Sequence, residues 1–457
     1  MKNWNQLFIR HGFMVEEIRP NVFESLRETE ENVAFLIESF EKLSISFVLE
    51  KGLLSVTSPV IAEEIWLAYV DFKYRGRGEG LWFRPGLDQP KVRELDTYIA
   101  GMVRQLNRLG FYTNSCCDGH EKRSPSIGFT NEVDMEKVIE VLIAAGVPRI
   151  LTRNRVISLN ISRKLLLDIT EKLSAIQQDW LEKGIVFIRK QLFLIQLEQL
   201  LSIAGESGNE SKVRQYIIEK LRYHVDYMTV DNTGNLLAQK TYGNGHGPTI
   251  LLNAHMDTVD RIEPDRTIVK NGEIWSSDHG ILGADDRAGV AVLLEMAQRL
   301  QSSGFNGRVK FIFTVEEEIG LIGARSIDET FLWDVDAAIV VDRRGTGDIV
   351  TSCGGYQRFC HENYGNFFEE AAKQIGLLCW KTTIGGSSDT RIWAEHGIQS
   401  VNLSAGYRNE HTEFETLDVE ACYNTVSLIT KVFNEARNLQ RTFRKIEILE
   451  NVRSEVR

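Results

Sequence analysis

Residues 249–259 read Thr-Ile-Leu-Leu-Asn-Ala-His-Met-Asp-Thr-Val. Ile250, Leu251 and Leu252 make a short apolar run, and polar residues begin where a buried parallel strand would reach the carboxyl edge of its sheet. Open α/β sheets bind their ligands at that edge. His255 and Asp257, two residues apart there, suit one metal, with the imidazole as ligand and the carboxylate behind it. An H-x-D triplet arises often by chance, so its weight depends on what stands downstream.

From 249 to about 437 strands and helices alternate, with strands at 249–253, 309–314, 337–341, 379–381 and 401–403. Helices are predicted at 287–302, 321–328, 365–376, 388–396 and 417–436. The alternation predicts an α/β fold, an α/β/α sandwich around a mostly parallel sheet. Upstream come a connecting helix at 178–203, a helix at 211–222 and a hairpin joined by Asp231-Asn-Thr-Gly-Asn. Before these, an apolar spacing of three and four predicts a helix over roughly 21–43, then short strands at 45–49 and 53–56. Residues 63–178 read as a small α+β domain, with strands near 66–72, 111–115, 126–129, 149–152 and 155–160 and helices near 90–109, 133–145 and 163–175. A ferredoxin-like sandwich fits that order. The expected organisation is therefore 1–62, an N-terminal helix with short strands; 63–178, the α+β domain; 188–440, the catalytic domain; and 441–457, a charged tail. No internal repeat is evident.

A chain of 457 residues is long enough for two or three domains. A hydrophobic fraction of 43% and a charged fraction of 26% are those of a globular protein, and no run approaches the ~18 apolar residues of a membrane span. The net charge of −11 disfavours nucleic acid and anionic membranes as partners. Met-Lys-Asn-Trp-Asn-Gln lacks the apolar core of a secretion signal, and six scattered cysteines suit a reducing cytoplasm better than a disulfide framework. The stretch Cys116-Cys117-Asp118-Gly-His120 could hold a metal or line a site. Its plainer reading is a polar loop with two ordinary thiols, since no second Cys or His cluster in this half completes a tetrahedral zinc site.

Beyond His255 and Asp257, further acids fall at strand ends: Gly283-Ala-Asp285-Asp286, Glu316-Glu317-Glu318-Ile-Gly320, Asp342, and Gly385-Gly-Ser-Ser-Asp389. A last group, Gly406-Tyr407-Arg408-Asn-Glu-His411, follows the strand at 401–403. Solubility alone would scatter such residues along helix faces. Amide hydrolysis at neutral pH needs a strong nucleophile and relief of charge on the carbonyl oxygen, which two neighbouring metals and a bridging carboxylate can supply. A further carboxylate must move the proton.

In order and spacing these motifs resemble the co-catalytic dizinc exopeptidase superfamily, with peptidase T, the glutamyl aminopeptidases and the Streptomyces-type aminopeptidases among its members. The resemblance covers about 188–437. It implies that His255 and Asp342 bind one metal, that Glu318 and His411 bind the other, and that Asp285 bridges them. It further implies that Asp257 orients His255, that Glu317 is the general base and acid, and that the Asp285–Asp286 peptide is cis. The metals implied are two divalent ions, zinc with cobalt or manganese as substitutes. Asp389, Tyr407 and Arg408 are weaker candidates for substrate contact. About 69 residues separate Asp342 from His411 and about 30 separate His255 from Asp285, too few for the inserted lid domain of several relatives. A lidless core leaves residues 1–178 as the expected source of site closure or of an oligomer contact.

The function expected is a cytoplasmic metal-dependent aminopeptidase acting on short peptides through a water held between two metals. A deacylase of N-acyl amino acids on the same core is the alternative, and a non-catalytic metal-binding or regulatory protein is a third reading. A homo-oligomer is compatible with any of them.

Overall fold

The computed structural model describes residues 3–72, 75 and 90–455, which divide into two compact units, Met1–Leu192 and Phe193–Arg457. Residues 1–2, 73–74 and 76–89 of the expected N-terminal segments, and 456–457 of the tail, lie outside the described residues.

The first unit opens with α1 (Trp4–Arg10), β1 (Glu16–Arg19), β2 (Val22–Glu24), α2 (Glu30–Lys42), β3 (Phe47–Glu50), β4 (Leu53–Val56) and α3 (Glu63–Val70). It continues with α4 (Ala100–Arg108), β5 (Thr113–Cys117), β6 (Ser126–Phe129), α5 (Met135–Ala144), β7 (Ile150–Arg153), β8 (Val156–Leu159) and α6 (Leu165–Ala175). The two series are the same list. Their antiparallel sheets run β1-β2-β4-β3 and β5-β6-β8-β7, so the unit is a tandem repeat. Each order matches a ferredoxin-like sandwich whose chain is opened at a different strand.

Local chemistry repeats as well. Arg10-His11-Gly12-Phe13 ends α1 and Arg108-Leu109-Gly110-Phe111 ends α4. Gly12 and Gly110 take φ of +91° and +87°, which glycine reaches without a Cβ clash. The following amides close back across the helix end, Phe13 N to Phe8 O and Phe111 N to Leu106 O, both at 2.9 Å. Both termini are thus Schellman caps. Both arginines then tie helices together: Arg10 pairs with Glu63, Asp168 and Glu171, and Arg108 donates to the carbonyls of Leu173, Ser174 and Ile176.

Two expectations for this unit are corrected. Residues 66–72 are not a strand, because Trp66 and Val70, both buried and four apart, share one face of α3. The helix expected over 21–43 begins at Glu30, capped by the Thr29 side chain, after the β1–β2 hairpin turns at Pro20-Asn21.

The second unit follows α7 (Gly184–Leu201) with α8 (Ser211–Leu221), β9 (Tyr227–Val230), β10 (Leu236–Tyr242), β11 (Thr249–His255), β12 (Ile268–Asn271), β13 (Ile274–Ser277), α9 (Ala284–Arg299) and β14 (Gly307–Thr314). Then come α10 (Ile322–Arg325), α11 (Glu329–Leu332), β15 (Ala337–Arg343), β16 (Asp348–Cys353), β17 (Gln357–Arg358), α12 (Glu362–Gln374), β18 (Lys381–Gly385), α13 (Asp389–Glu395) and β19 (Gln399–Ser404). The chain ends with β20 (Tyr407–Arg408), β21 (Thr416–Asp418), α14 (Val419–Asn434) and α15 (Ala436–Glu455).

The main sheet runs β17-β16-β19-β15-β11-β14-β10-β9, with β18 also on β16. Its centre, β14-β11-β15-β19, is parallel, and its margins are antiparallel except for the parallel β16–β18 pair. Every residue of β11 is buried, as a strand covered on both faces requires. Ile250, Leu252 and Ala254 join the core packed with α9 and α14, whereas Leu251 joins Ile312, Val340 and Trp393 on the opposite face. From β11 the chain returns through α9 to β14 and then crosses to β15 on the other flank, so β11 stands at the switch point where such sheets bind ligands. Among the described residues no separate domain interrupts this fold. His255 to Asp285 is occupied by the β12–β13 hairpin, and Asp342 to His411 supplies β16 to β19.

The repeat offers a paired test. A Cβ at Gly110 meets only the end of Gln178, 4.0 Å away, whereas one at Gly12 lands 3.1 Å from the backbone nitrogen of Gly101. Gly110→Ala is expected to cost the left-handed penalty alone, about 1–2 kcal/mol, and Gly12→Ala distinctly more. Urea unfolding of the two variants reads the difference.

Candidate active site

The carboxyl edge of the central strands collects the residues singled out in the sequence. His255 ends β11, Glu317 and Glu318 follow β14, Asp342 lies near the end of β15, and Asp285 opens α9. His411 sits in the loop after β20, in a left-handed conformation with φ +62°. Together with Tyr407 these residues line a cavity of about 150 Å³.

Asp285 stands between the two imidazoles. Its Oδ1 lies 3.2 Å from His255 Nε2 and its Oδ2 lies 3.2 Å from His411 Nε2. His255 Nε2 is also 3.7 Å from Asp342 Oδ1, and His411 Nε2 is 3.0 Å from Glu318 Oε2. The peptide between Asp285 and Asp286 is cis. Behind His255, Asp257 Oδ1 lies 3.3 Å from Nδ1. The same buried carboxylate accepts the Ser207 hydroxyl at 2.8 Å and the backbone N–H groups of Glu317 and Glu318, each at 3.1 Å. Asp257 therefore orients an imidazole and also seats the two glutamates.

The electrostatics are those of too many acids for the cations at hand. Burial pushes Glu317 up to about 10, reinforced by the charges of Asp342, Asp389 and Glu318. Burial likewise lifts Glu318 to about 7, with Asp285 and Asp342 adding to it. The hydrogen bond to Asp285, helped by Glu318, raises His411 to about 9. Burial opposes a charge on His255, yet Asp257, Asp285 and Asp342 hold its pKa well above the ordinary imidazole range.

The arginines that line the cavity do not relieve this crowding. Arg343 pairs with Asp348 at 2.8 Å and Arg344 with Glu410 at 2.9 Å. Glu318 Oε1 is buried without a hydrogen bond. Donor atoms of His255, Asp285 and Glu318 lie within 4.8 Å of one another, and so do those of His255, Asp286 and Asp342. Imidazole and carboxylate donors of this kind, short of positive charge, fit divalent cations.

Two of the weaker candidates are placed elsewhere. Asp389 is buried beneath the site, accepting from Thr314 Oγ1 and from Asn253 Nδ2, and Arg408 is exposed and absent from the cavity lining. Tyr407 is in place, its hydroxyl donating to Asp342 Oδ1 at 2.9 Å.

Residues 261–428 match the family model for the M42 glutamyl aminopeptidases. A protein of Acetivibrio thermocellus proposed to be an aminopeptidase is 25% identical over 325 residues, covering 51% of this chain and 96% of that one. A peptidase T-like protein of Yersinia pestis is 27% identical over 174 residues, 31% of this chain and 42% of that one. The second unit is similar to members of the co-catalytic zinc exopeptidase superfamily. The chain is a hydrolase, a metal-dependent aminopeptidase. Among solved structures, the aminopeptidase PepT of Bacillus cereus has a TM-score of 0.48 at 19% identity, over 54% of this chain and 99% of that one.

The peptidase unit also uses residues that sequence reasoning passed over. Asn402 accepts the Asp342 N–H at 2.9 Å and returns a bond to the Asp342 carbonyl at 2.8 Å, clamping the strand end. Asp286 accepts the His255 N–H at 3.1 Å. Glu415, buried to 2% exposure, accepts the N–H groups of Gly283 at 2.7 Å and Asp285 at 3.0 Å and so holds the turn that delivers Asp285. In the sequence Glu415 is one more acid in a polar loop, and no spacing distinguishes it. Glu415→Ala would leave buried amides without an acceptor, an expected loss of about 1–3 kcal/mol. Activity should fall further than folding does, and paired denaturation and kinetic measurements check this.

Proposed function

We propose that the peptidase unit removes amino-terminal residues from short peptides, with zinc as the native metal and the cytoplasm as its compartment. The observation that carries the reading is Asp285, one carboxylate facing two imidazoles on opposite sides. In this assignment His255 and Asp342 would hold one ion, Glu318 and His411 the other, and Asp285 both. Two divalent ions bound there would supply Lewis acidity toward the scissile carbonyl and acidify the attacking water.

The chain's own residues do the rest. Glu317, half-buried in the cavity wall and in no ion pair among the described residues, takes the proton from the attacking water at a carboxylate oxygen and passes it to the leaving amine. Asp257 keeps that carboxylate in position through the Glu317 N–H, so one residue couples imidazole orientation to proton transfer. Tyr407 holds Asp342 in a single orientation. A cavity of about 150 Å³ is small beside the roughly 300–1,000 Å³ of sites that enclose drug-sized ligands, which favours one terminal residue over an internal segment. Six free cysteines fit a reducing compartment.

Glu317→Gln should keep the metal and lower kcat by about 10²–10⁴-fold, the range of a lost general base. Metal analysis and kinetics on wild type and variant, with free-amine peptides and N-acyl amino acids side by side, test this. Turnover of N-acyl compounds alone would replace the aminopeptidase reading with the deacylase one. Bound metal with no turnover in wild type would leave a binding protein.

Metal binding should also be steeply dependent on pH. A cation needs unprotonated imidazole and ionised carboxylate, yet in the metal-free chain His411 is raised to about 9 and Glu318 to about 7. Loading at neutral pH must therefore release protons, and affinity should rise with pH until His411 has lost its proton near pH 9. Zinc titrations in buffers of differing ionisation enthalpy count those protons. An affinity flat from about pH 6 to 9 would contradict the assignment.

A further inference from the structure

The two repeats of the first unit differ most at one connection. In the first copy β1 passes to β2 through Pro20-Asn21, whereas in the second β5 reaches β6 only after residues 118–125. The longer connection carries Asp118, His120, Glu121 and Arg123. It folds back on Cys117, at the end of β5, and on Asp96, which lies ahead of α4. Donor atoms of Asp96, Cys117 and His120 lie within 4.8 Å of one another.

The imidazole is held in a particular way. His120 Nε2 lies 3.4 Å from Asp96 Oδ2, inside the cluster, while Nδ1 lies 3.3 Å from Asp118 Oδ1 on its other side. Asp118 Oδ1 also accepts the His120 N–H at 2.9 Å. A carboxylate behind one ring nitrogen, with the other nitrogen turned toward a thiol and a second carboxylate, is the arrangement that orients metal-binding histidines.

An independent observation points to a cation ligand. Asp96 and Asp118 are 4% and 1% exposed, and Asp96 Oδ1 and Asp118 Oδ2 are buried without hydrogen bonds. The Asp118 backbone N–H donates to Asp96 Oδ2 at 3.0 Å, and the two carboxylates face different nitrogens of the His120 ring. The nearest arginine ion pair reaches Asp118 and not Asp96. Arg75 donates to the carbonyls of Val70, Val92 and Leu95. Arg163 lies over the Tyr98 ring, with Nη1 3.7 Å from Asp118 Oδ2 and Nε 3.3 Å from Glu121. Arg123 donates to Cys117 Sγ at 3.2 Å, placing a positive charge beside the sulfur from the solvent side. Burying a carboxylate oxygen without a partner, as at Asp96 Oδ1, is costly.

We infer that Asp96, Cys117 and His120 form a site for a single divalent ion of the zinc class, composed of none of the residues of the peptidase unit. A thiolate, an imidazole and a carboxylate are ligands that zinc accepts together, and three protein ligands leave a fourth position for water or a ligand atom. Asp118 is the positioning residue behind His120. The first repeat, with a two-residue turn and Arg19 where the second has Cys117, carries no counterpart among the described residues.

Cobalt tests this in the full chain, stripped with a chelator and reloaded. A thiolate ligand gives cobalt a near-ultraviolet charge-transfer absorption that an imidazole and carboxylate site does not. The band should saturate at one cobalt per chain, vanish in Cys117→Ser and in His120→Ala, and persist in Glu318→Ala. Zinc content should fall by one ion per chain in His120→Ala. Because His120 is 41% exposed, that variant is expected to keep its melting profile. Zinc should also shield Cys117 from iodoacetamide in wild type and fail to do so in His120→Ala. Absence of the band in wild type, its survival in Cys117→Ser, or alkylation of Cys117 indifferent to zinc would each overturn the assignment.

Discussion

Asp285 offers one oxygen to His255 and the other to His411, and much of the second unit can be understood as holding that carboxylate there against its surroundings. It is crowded by Asp286, Glu317, Glu318 and Asp342, while the arginines at the rim are bound to other acids. Like charges at such distances repel strongly in a poorly solvated site. A fold that assembles them must either keep several protonated or recruit cations. The raised pKa values of Glu317 and Glu318 are the first outcome, and the clustered imidazole and carboxylate donors suit the second.

Rigid scaffolding makes this assembly affordable. The four parallel central strands are buried on both faces, so their carboxyl ends are set by packing rather than by loop preference. Asp257, Asn402 and Glu415 then lock the loops beyond those ends through backbone N–H groups. A carboxylate or amide that accepts from the backbone fixes where the next side chain starts. Small errors in starting point would separate donors that must meet within a few ångströms.

The first unit shows how a duplicated scaffold can diverge. Helix caps, hairpins and sheet order are held in common, and the one conspicuous insertion carries a thiol, an imidazole and an acid against a buried aspartate. The repeat was invisible in the sequence because its shared signals are sparse: an Arg-x-Gly-Phe at two helix ends and little else. Sheet order is a property of pairing across the chain, and two sequences can satisfy it with different apolar residues. The strand expected at 66–72 failed for a related reason. In Glu63–Val70 apolar residues are dense enough that periods of two and of nearly four both fit, and only the burial of Trp66 and Val70 on one face decides between them.

In the second unit the sequence by itself determined the alternating α/β order, the strand-end placement of His255, Glu317, Glu318 and Asp342, Asp285 at a helix start, His411 in the loop that follows the last parallel strand, and the absence of room for a lid. These are consequences of local periodicity and of chain length, which a linear reading can measure. The tertiary structure alone decided which oxygen of Asp285 faces which histidine, that Asp389 lies below the site and Arg408 outside it, and that Asp257 seats both glutamates. It likewise brought Asp96 to Cys117 and His120, a contact that no local spacing announces. Such contacts depend on strand order and on which backbone groups lack a partner after folding, and both arise only when distant parts of the chain have been packed together. The opening strand illustrates the division. His255 and Asp257 were legible as a pair, but the work Asp257 does on residues sixty positions away was not.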